Sequence, residues 1–453
     1  MKTCLKLTVF LFLALTCFEG AAWSITLPQA AKGSTSQAQS AAPPKTQPPR
    51  TPQEYELSPQ KRAEAVAYSR TQYVLYFSGV ALALLIYFLL WRAGIAVAFR
   101  NWARRISRRH FVQCLIFAPL FFLAASLLEF PFDFYSGYVV GHKFGLLRQG
   151  FGSWMADWGI SLGLFVFVGT FVVWILYVIV RHSPRRWWFY FWAVTIPLSL
   201  FLMFIEPFVV EPLFYKFTPM DATRPALVTQ IEKMLHRADL KIPRSRILEM
   251  NASSKTNTIN AYVSGLGASK RVVVWDTTLK KLTDDETLAV LGHETGHYVL
   301  HHIIKEFVLI ELVALIFIGL GFVVVKKLIR RFGNRSGLEG ESDLASLALM
   351  LLVLTGLTFF SSPVVNAISR HYEHQADQFG LEVTYGVVPN PNAAEAGAFQ
   401  IIGEQDLADP HPNPFIVFWL YSHPPIAKRI RFALHYKPWA EGKPLEFIHP
   451  GKS

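Results

Sequence analysis

Cysteine is nearly missing from this 453-residue chain, with three in all. Cys4 and Cys17 lie in the N-terminal apolar segment and Cys114 in a longer apolar run. Neither a disulfide framework nor a cysteine metal site can be assembled from them. Charge is scarce as well. Only 17% of residues are Asp, Glu, Lys or Arg, against 52% hydrophobic. That excludes an ordinary soluble domain of this length and points to a polytopic membrane protein. Acids are the scarcer sign, 32 against 44 Lys and Arg, for a formal charge of +12. Such an excess could serve nucleic acid, but the basic residues cluster beside apolar runs, which is the pattern of topology signals. No nucleic-acid partner is expected.

What is present starts with a leader. Lys2 and Lys6 precede the apolar stretch 7–18, and the small residues Gly20, Ala21, Ala22 and Ser24 follow. Residues 1–24 read as a signal peptide or N-terminal anchor, the apolar run being shorter than the ~20 residues a span needs. Residues 25–64 read as a Pro-, Ser- and Gln-rich disordered linker. Six apolar runs then have the length of a membrane helix, at about 72–91, 111–130, 158–180, 187–205, 307–325 and 344–364. The first four make an N-terminal membrane domain over 65–210. The last two interrupt a second domain over 211–440, and 441–453 is a C-terminal tail.

Basic clusters orient these runs. Arg92, Arg100, Arg104, Arg105, Arg108 and Arg109 follow the first, Arg181, Arg185 and Arg186 the third, and Lys326, Lys327, Arg330, Arg331 and Arg335 the fifth. By the positive-inside rule all three loops face the cytoplasm. The polar stretches after about residues 211 and 366 then face the other side, which in a bacterial inner membrane is the periplasm.

The second domain carries local signals. Residues 226–238 have helical apolar spacing, 246–250 reads as a strand, and 260–264 with 271–275 reads as a hairpin around 265–270. Thr283 and Glu286 have the spacing of a capping box that opens a helix. On that helix stands His293-Glu294-Thr295-Gly296-His297. Histidines four apart share a helical face and supply half of a tetrahedral zinc site. Glu294 falls where it can take a proton from an activated water. The competing reading is a solvated helix with two chance histidines. Gly296 inside a helix costs about 1 kcal/mol relative to Ala, which a close approach by another helix would justify. A catalytic zinc needs a third protein ligand. Glu373 is the candidate, with Asp377 four residues on and Arg370 on the same face. Asp377 could orient a ligating histidine and Arg370 could offset the charge. From these residues alone a salt-bridged surface helix is the stronger reading.

The HExxH, followed two apolar runs later by Ser369-Arg370-x-x-Glu373-x-x-Ala376-Asp377, resembles the type I CAAX prenyl protease family of membrane zinc peptidases, related to the heat-shock membrane proteases. Other segments share the resemblance: Lys143-Phe144-Gly145-Leu146, the stretch Pro212 to Pro219, Asn260-Ala261-Tyr262 with Gly265, and Ser422-His423-Pro424 with Arg429. The likeness runs from about residue 65 to 440. It implies a mainly α, polytopic membrane protein with a small α+β gluzincin-type zinc peptidase domain. It implies one Zn2+ per chain on His293, His297 and Glu373, with Glu294 as general base. Asn260, Ala261, Tyr262 and Val263 would form an edge strand that pairs with an extended substrate. His423 would stabilise the oxyanion, although Pro424 and Pro425 also suit a plain helix start. His301 and His302 read as interfacial residues. Glu206, Glu211 and Glu311, near span ends, are candidates to line a wet cavity.

The expected activity is that of a membrane zinc metalloendopeptidase in envelope protein processing or quality control. Its partners would be the bilayer and membrane-proximal or unfolded peptides. CAAX-type processing of prenylated tails is the alternative. The resemblance implies that the family's eukaryotic members act on the cytoplasmic side, whereas the charge pattern puts this catalytic side outside. An inactive membrane scaffold is the third reading.

Overall fold

The computed structural model describes residues 54–265 and 267–448. The signal segment, most of the linker and the end of the C-terminal tail lie outside them.

Among the described residues, six helices are long and apolar enough to cross a membrane. Each extends beyond the apolar run that announces it. The first, α1 (Pro59–Arg92), starts on Ser58, whose hydroxyl accepts from Lys61 N, with Pro59 presetting the first helical φ. The linker, expected to reach residue 64, therefore ends earlier. Tyr55 is already buried, its hydroxyl donating to Ala408 O at 3.1 Å. After α1 comes α2 (Ile95–Ile106), which buries Ala96, Arg100 and Ala103 and exposes Trp102 and Ile106. Next are α3 (His110–Asp133), α4 (Phe151–His182) and α5 (Trp187–Ile205). Helices α3 and α5 continue through π turns, at Phe134–Val139 and Glu206–Val210, into the layer beyond the membrane. Pro131 and Pro207 each remove one backbone donor beside these turns. Large apolar side chains such as Leu127, Phe167, Phe201, Ile316 and Phe360 point outward, as lipid-facing residues do.

The chain then builds a small sheet from β1 (Phe217–Pro219), β2 (Ile247–Met250), β3 (Ala261–Ser264) and β4 (Arg271–Trp275), with α6 (Pro225–Arg237) between β1 and β2. The strand order is β1-β2-β4-β3, with β2 and β4 parallel and the outer pairs antiparallel. The hairpin registers Ala261 opposite Val274 and Ser264 opposite Arg271. Helices α7 (Asp276–Lys281) and α8 (Asp284–Val299) follow. Leu227 and Ile231 of α6, Val272 and Val274 of β4, and Leu288 and Leu291 of α8 share one core.

Two long helices form the last membrane hairpin: α9 (His302–Ser336) and α10 (Leu347–Thr384). The turn between them is clamped to the N-terminal helices. Arg100 forms a buried ion pair with Asp343 and donates to Gly337 O at 3.3 Å. Tyr177 OH donates to Leu344 O at 3.1 Å. Helix α10 carries on past its apolar half into the polar layer, where α11 (Pro391–Gln405), α12 (Pro414–Leu420) and α13 (Ile426–His435) cover it.

Candidate metal centre

The site begins with the start of α8. Thr283 Oγ1 accepts from Glu286 N at 3.2 Å, and Glu286 Oε2 accepts from Thr283 N at 2.8 Å. This reciprocal cap fixes the helical phase. That phase turns His293 and His297 toward α10, and both are buried. Glycines then set the spacing of the two helices. A Cβ on Gly296 would lie 3.0 Å from Phe379 Cβ, and one on Gly292 would lie 3.1 Å from side-chain atoms of both Val383 and Thr384. From the other side, a Cβ on Gly380 would meet His293 N at 3.0 Å. The close approach anticipated at Gly296 is the packing of α8 on α10.

At that separation Glu373 reaches both rings. Its Oε2 is 3.3 Å from His293 Nε2 and its Oε1 is 3.6 Å from His297 Nε2. The two Nε2 atoms are 3.1 Å apart. One ligand atom from each of the three residues lies within 4.8 Å of the others. Glu373 Oε2 is buried and has no hydrogen-bond partner, the His293 approach being within ion-pair range but off-line. Three lone-pair donors converging on one point, two imidazoles and a carboxylate, fit a divalent ion such as zinc. Burial holds the His297 imidazole well below its ordinary range, so the ring is neutral, the form that ligates. For His293 burial alone would act the same way, but Asp377 and Glu373 raise it to about 10. Glu294 stands at the rim, Oε1 4.0 Å from His293 Nε2 and its side chain 16% exposed.

The surroundings correct several expectations. Asp377 does meet a candidate ligand, with Oδ1 2.8 Å from His293 Nδ1. Its cation is Arg429 of α13, not Arg370. Arg429 Nε donates to Asp377 Oδ2 at 3.0 Å and Nη2 to Oδ1 at 2.5 Å. The same Nη2 lies 3.9 Å from Glu373 Oε2. Arg370 sits two turns below Asp377 on α10, which is about 10 Å along the axis. Its Nη1 instead donates to Val417 O at 3.0 Å and Tyr421 O at 2.5 Å, holding the turn that carries His423. His302, expected at an interface, is completely buried, with Nδ1 3.2 Å from His297 Nδ1. The reason is His301, whose φ of 57° breaks the helix and swings the chain back under His297. His423 Nε2 lies 2.9 Å from Glu373 Oε1, and its Nδ1 is 2.8 Å from Ser422 Oγ.

Strand β3 closes the other flank. It is the last strand of the sheet and packs against α8. Trp275 N donates to Asn260 O at 3.1 Å. Antiparallel alternation then turns the backbone groups of Tyr262 toward β4 and those of Ala261 and Val263 outward. Of the four residues expected to pair with a substrate, only these two face the margin. Asn260 Oδ1 accepts from Ala261 N at 3.0 Å, and its own N donates to Thr278 Oγ1 at 2.9 Å. Tyr262 OH donates to the Glu211 carboxylate at 3.0 Å, and Arg271 pairs with the same carboxylate. Glu211 thus anchors the hairpin. A pocket of about 140 Å³ opens beside His423, between Gln72 and Tyr73 of α1 and the α11–α13 layer.

Comparison with known proteins identifies the family. Residues 221–437 match peptidase family M48, and residues 37–216 match the CAAX prenyl protease N-terminal region, described as five membrane helices. An uncharacterized metalloprotease of Bacillus subtilis, YhfN, is 36% identical over 382 residues, 83% of this chain and 86% of that protein. A CAAX prenyl protease 1 homolog of Arabidopsis thaliana is 30% identical over 311 residues, 68% of this chain and 70% of that protein. The crystal structure of S. mikatae Ste24p shares the fold, with a TM-score of 0.72 at 22% identity, covering 96% of this chain and 99% of that one. The chain belongs to peptidase family M48 and is a multi-pass membrane metalloprotease.

Proposed function

We propose that this protein is an endopeptidase in which His293, His297 and Glu373 hold one zinc ion and Glu294 is the general base. The observation that carries the reading is the meeting of three lone-pair donors from α8 and α10 around an unpartnered carboxylate oxygen, Glu373 Oε2. Zinc, when bound, supplies Lewis acidity to the scissile carbonyl and to water. Glu294 takes the proton from the attacking water and later delivers it to the leaving amine. His423 is held by Ser422 Oγ at its Nδ1, and its Nε2–H, which here faces Glu373 Oε1, is the donor that would turn to the developing oxyanion. The outward backbone groups of Val263 and the carbonyl of Ala261, whose N–H is held by Asn260 Oδ1, pair with an extended substrate, which selects unfolded or membrane-proximal peptides without reading their sequence.

The peptidase domain of this reading spans residues 211–440, and the spans before it form a membrane domain over 65–210. The arginine-rich loops cap the span ends opposite the metal trio. Under the positive-inside rule this supports a catalytic side facing away from the cytoplasm, and hence a role in envelope protein processing or quality control. The second reading, cleavage of prenylated tails, is favoured by the relatives named CAAX prenyl protease 1. Comparing cleavage of a farnesylated peptide with its unmodified twin separates the two, and a C-terminal reporter fusion reads the sidedness. The metal reading is tested by metal analysis of the purified protein together with peptide cleavage by Glu294→Gln. The variant should retain zinc and lose activity by about 10²–10⁴-fold. Undiminished cleavage would overturn the assignment.

A further inference from the structure

The outer nitrogens of the two histidines are held by different chemistry. Nδ1 of His293 meets a carboxylate, Asp377. Nδ1 of His297 meets another ring nitrogen, His302 Nδ1 at 3.2 Å. A contact between two nitrogens needs one donor and one bare acceptor, and a neutral imidazole carries one of each. The far side of His302 decides which is which. Its Nε2 lies 3.1 Å from Gln375 Oε1, and in this orientation of the amide the oxygen accepts. His302 therefore bears its proton on Nε2, and its Nδ1 is bare. His297 must then donate from Nδ1, which leaves its Nε2 lone pair directed at His293 and Glu373. His302 is completely buried. Its plane is fixed by stacking on Tyr372, with centroids 4.6 Å apart and 20° between the rings.

We infer that His302 and Gln375 form a neutral hydrogen-bond relay that sets the tautomer of His297, so that its Nε2 is available to a metal. Both are positioning residues, and the relay rests on the metal reading above. His302 opens α9 and Gln375 lies on α10. The last membrane hairpin thus supplies the relay as well as the third ligand.

The test is the zinc affinity of the purified full-length protein in detergent, measured by chelator competition with zinc alone as the probe. His302→Phe keeps the ring volume and the stack on Tyr372 but removes both nitrogens. It should weaken zinc about 10–100-fold, the usual effect of losing an outer hydrogen bond to a ligand. The unfolding temperature of its metal-free form should stay at the wild-type value. His302→Asn returns an acceptor near the Nδ1 position and should recover most of the affinity. Gln375→Glu can only accept when ionised and should bind zinc as wild type does. Gln375→Lys can only donate and should weaken zinc as the Phe variant does. Wild-type affinity in His302→Phe would overturn the relay, as would equal losses in the Phe and Asn variants. Should His302→Phe unfold early, the Gln375 pair decides, and equal affinity of its Glu and Lys forms overturns the relay. Absence of zinc binding by the wild type would instead overturn the metal reading itself.

Discussion

Two buried arginine–aspartate pairs bracket the hairpin of α9 and α10, one at each end. Arg100 and Asp343 meet at its turn, with side chains 5% and 1% exposed. Arg429 and Asp377 meet at its open end, with side chains 8% and 1% exposed. As ion pairs they are nearly the same object. The remaining partners of each aspartate differ. Asp343 accepts from two backbone donors, Ala345 N at 3.1 Å and Glu339 N at 3.0 Å, so its further bonds shape the turn. Asp377 accepts from an imidazole, His293, so its further bond aims a ring at the metal trio. A buried pair is weak evidence for stability by itself. What each one holds in place tells the two apart.

Removing one aspartate at a time breaks the comparison most sharply. Asp377→Ala should carry the largest effect, because it leaves the Arg429 charge buried beside His293. We expect about 3–5 kcal/mol of lost stability and about 10–100-fold weaker zinc binding. Chelator competition and thermal unfolding measure the two losses separately. Asp343→Ala should cost about 3 kcal/mol, at the lower end of that range because Arg100 keeps Glu339 Oε1 at 3.2 Å, and zinc affinity should not move. A fall in zinc affinity in that variant would mean that the two ends are coupled through the hairpin. The apolar double replacements sharpen the point. Arg100→Met with Asp343→Leu should recover much of the lost stability. Arg429→Met with Asp377→Leu should recover stability but not zinc affinity.

A smaller effect is expected from the helix contact that serves only one of these ends. Gly296→Ala gains about 1 kcal/mol of helix propensity. Its new Cβ would stand 3.0 Å from Phe379 Cβ, a backbone-near atom that cannot swing aside. Overpacking of this kind costs about 1–3 kcal/mol, so the net change should be a loss of at most about 2 kcal/mol. Zinc affinity should fall with it, because Glu373 rides on the displaced helix. Urea titration with and without zinc reads both.

The same contrast explains how much could be read without coordinates. The spans follow from composition, and the capped helix with His293 and His297 follows from local spacing, because i and i+4 share a face whatever surrounds them. Glu373 stood out only through its family motif, since no local rule ties it to α8. Arg429 was quoted in that motif without a role, and nothing within α13 distinguishes it from its neighbour Arg431. Arg370, three residues from Glu373, shares its face, but its long side chain reaches the α12 turn. His302 was misplaced for a geometric reason. On a continuous helix, five residues beyond His297 it would point about 140° away. The left-handed turn at His301 cancels that rotation, and a histidine is not a residue that announces such a turn. Which backbone groups of β3 face outward depends on register, and a shift of one residue would have exchanged Tyr262 for Val263.

The smallest expected effect comes from an exposed pair in the same turn as Arg100 and Asp343. Arg104 donates to both oxygens of Glu339, at 2.6 and 2.8 Å, a two-point geometry that looks stronger than its buried neighbour. Its side chains are 39% and 56% exposed, however. Water already solvates both charges there, so their attraction is screened and removal strands nothing. Arg104→Ala should cost no more than about 1 kcal/mol, and less in high salt. Asp343→Ala should keep its larger cost at either salt level, because a buried charge is not reached by counterions. Unfolding both variants in detergent at low and high salt makes the comparison. If Arg104→Ala proved as costly as Asp343→Ala, two-point geometry and not burial would be what ties the hairpin to the N-terminal helices.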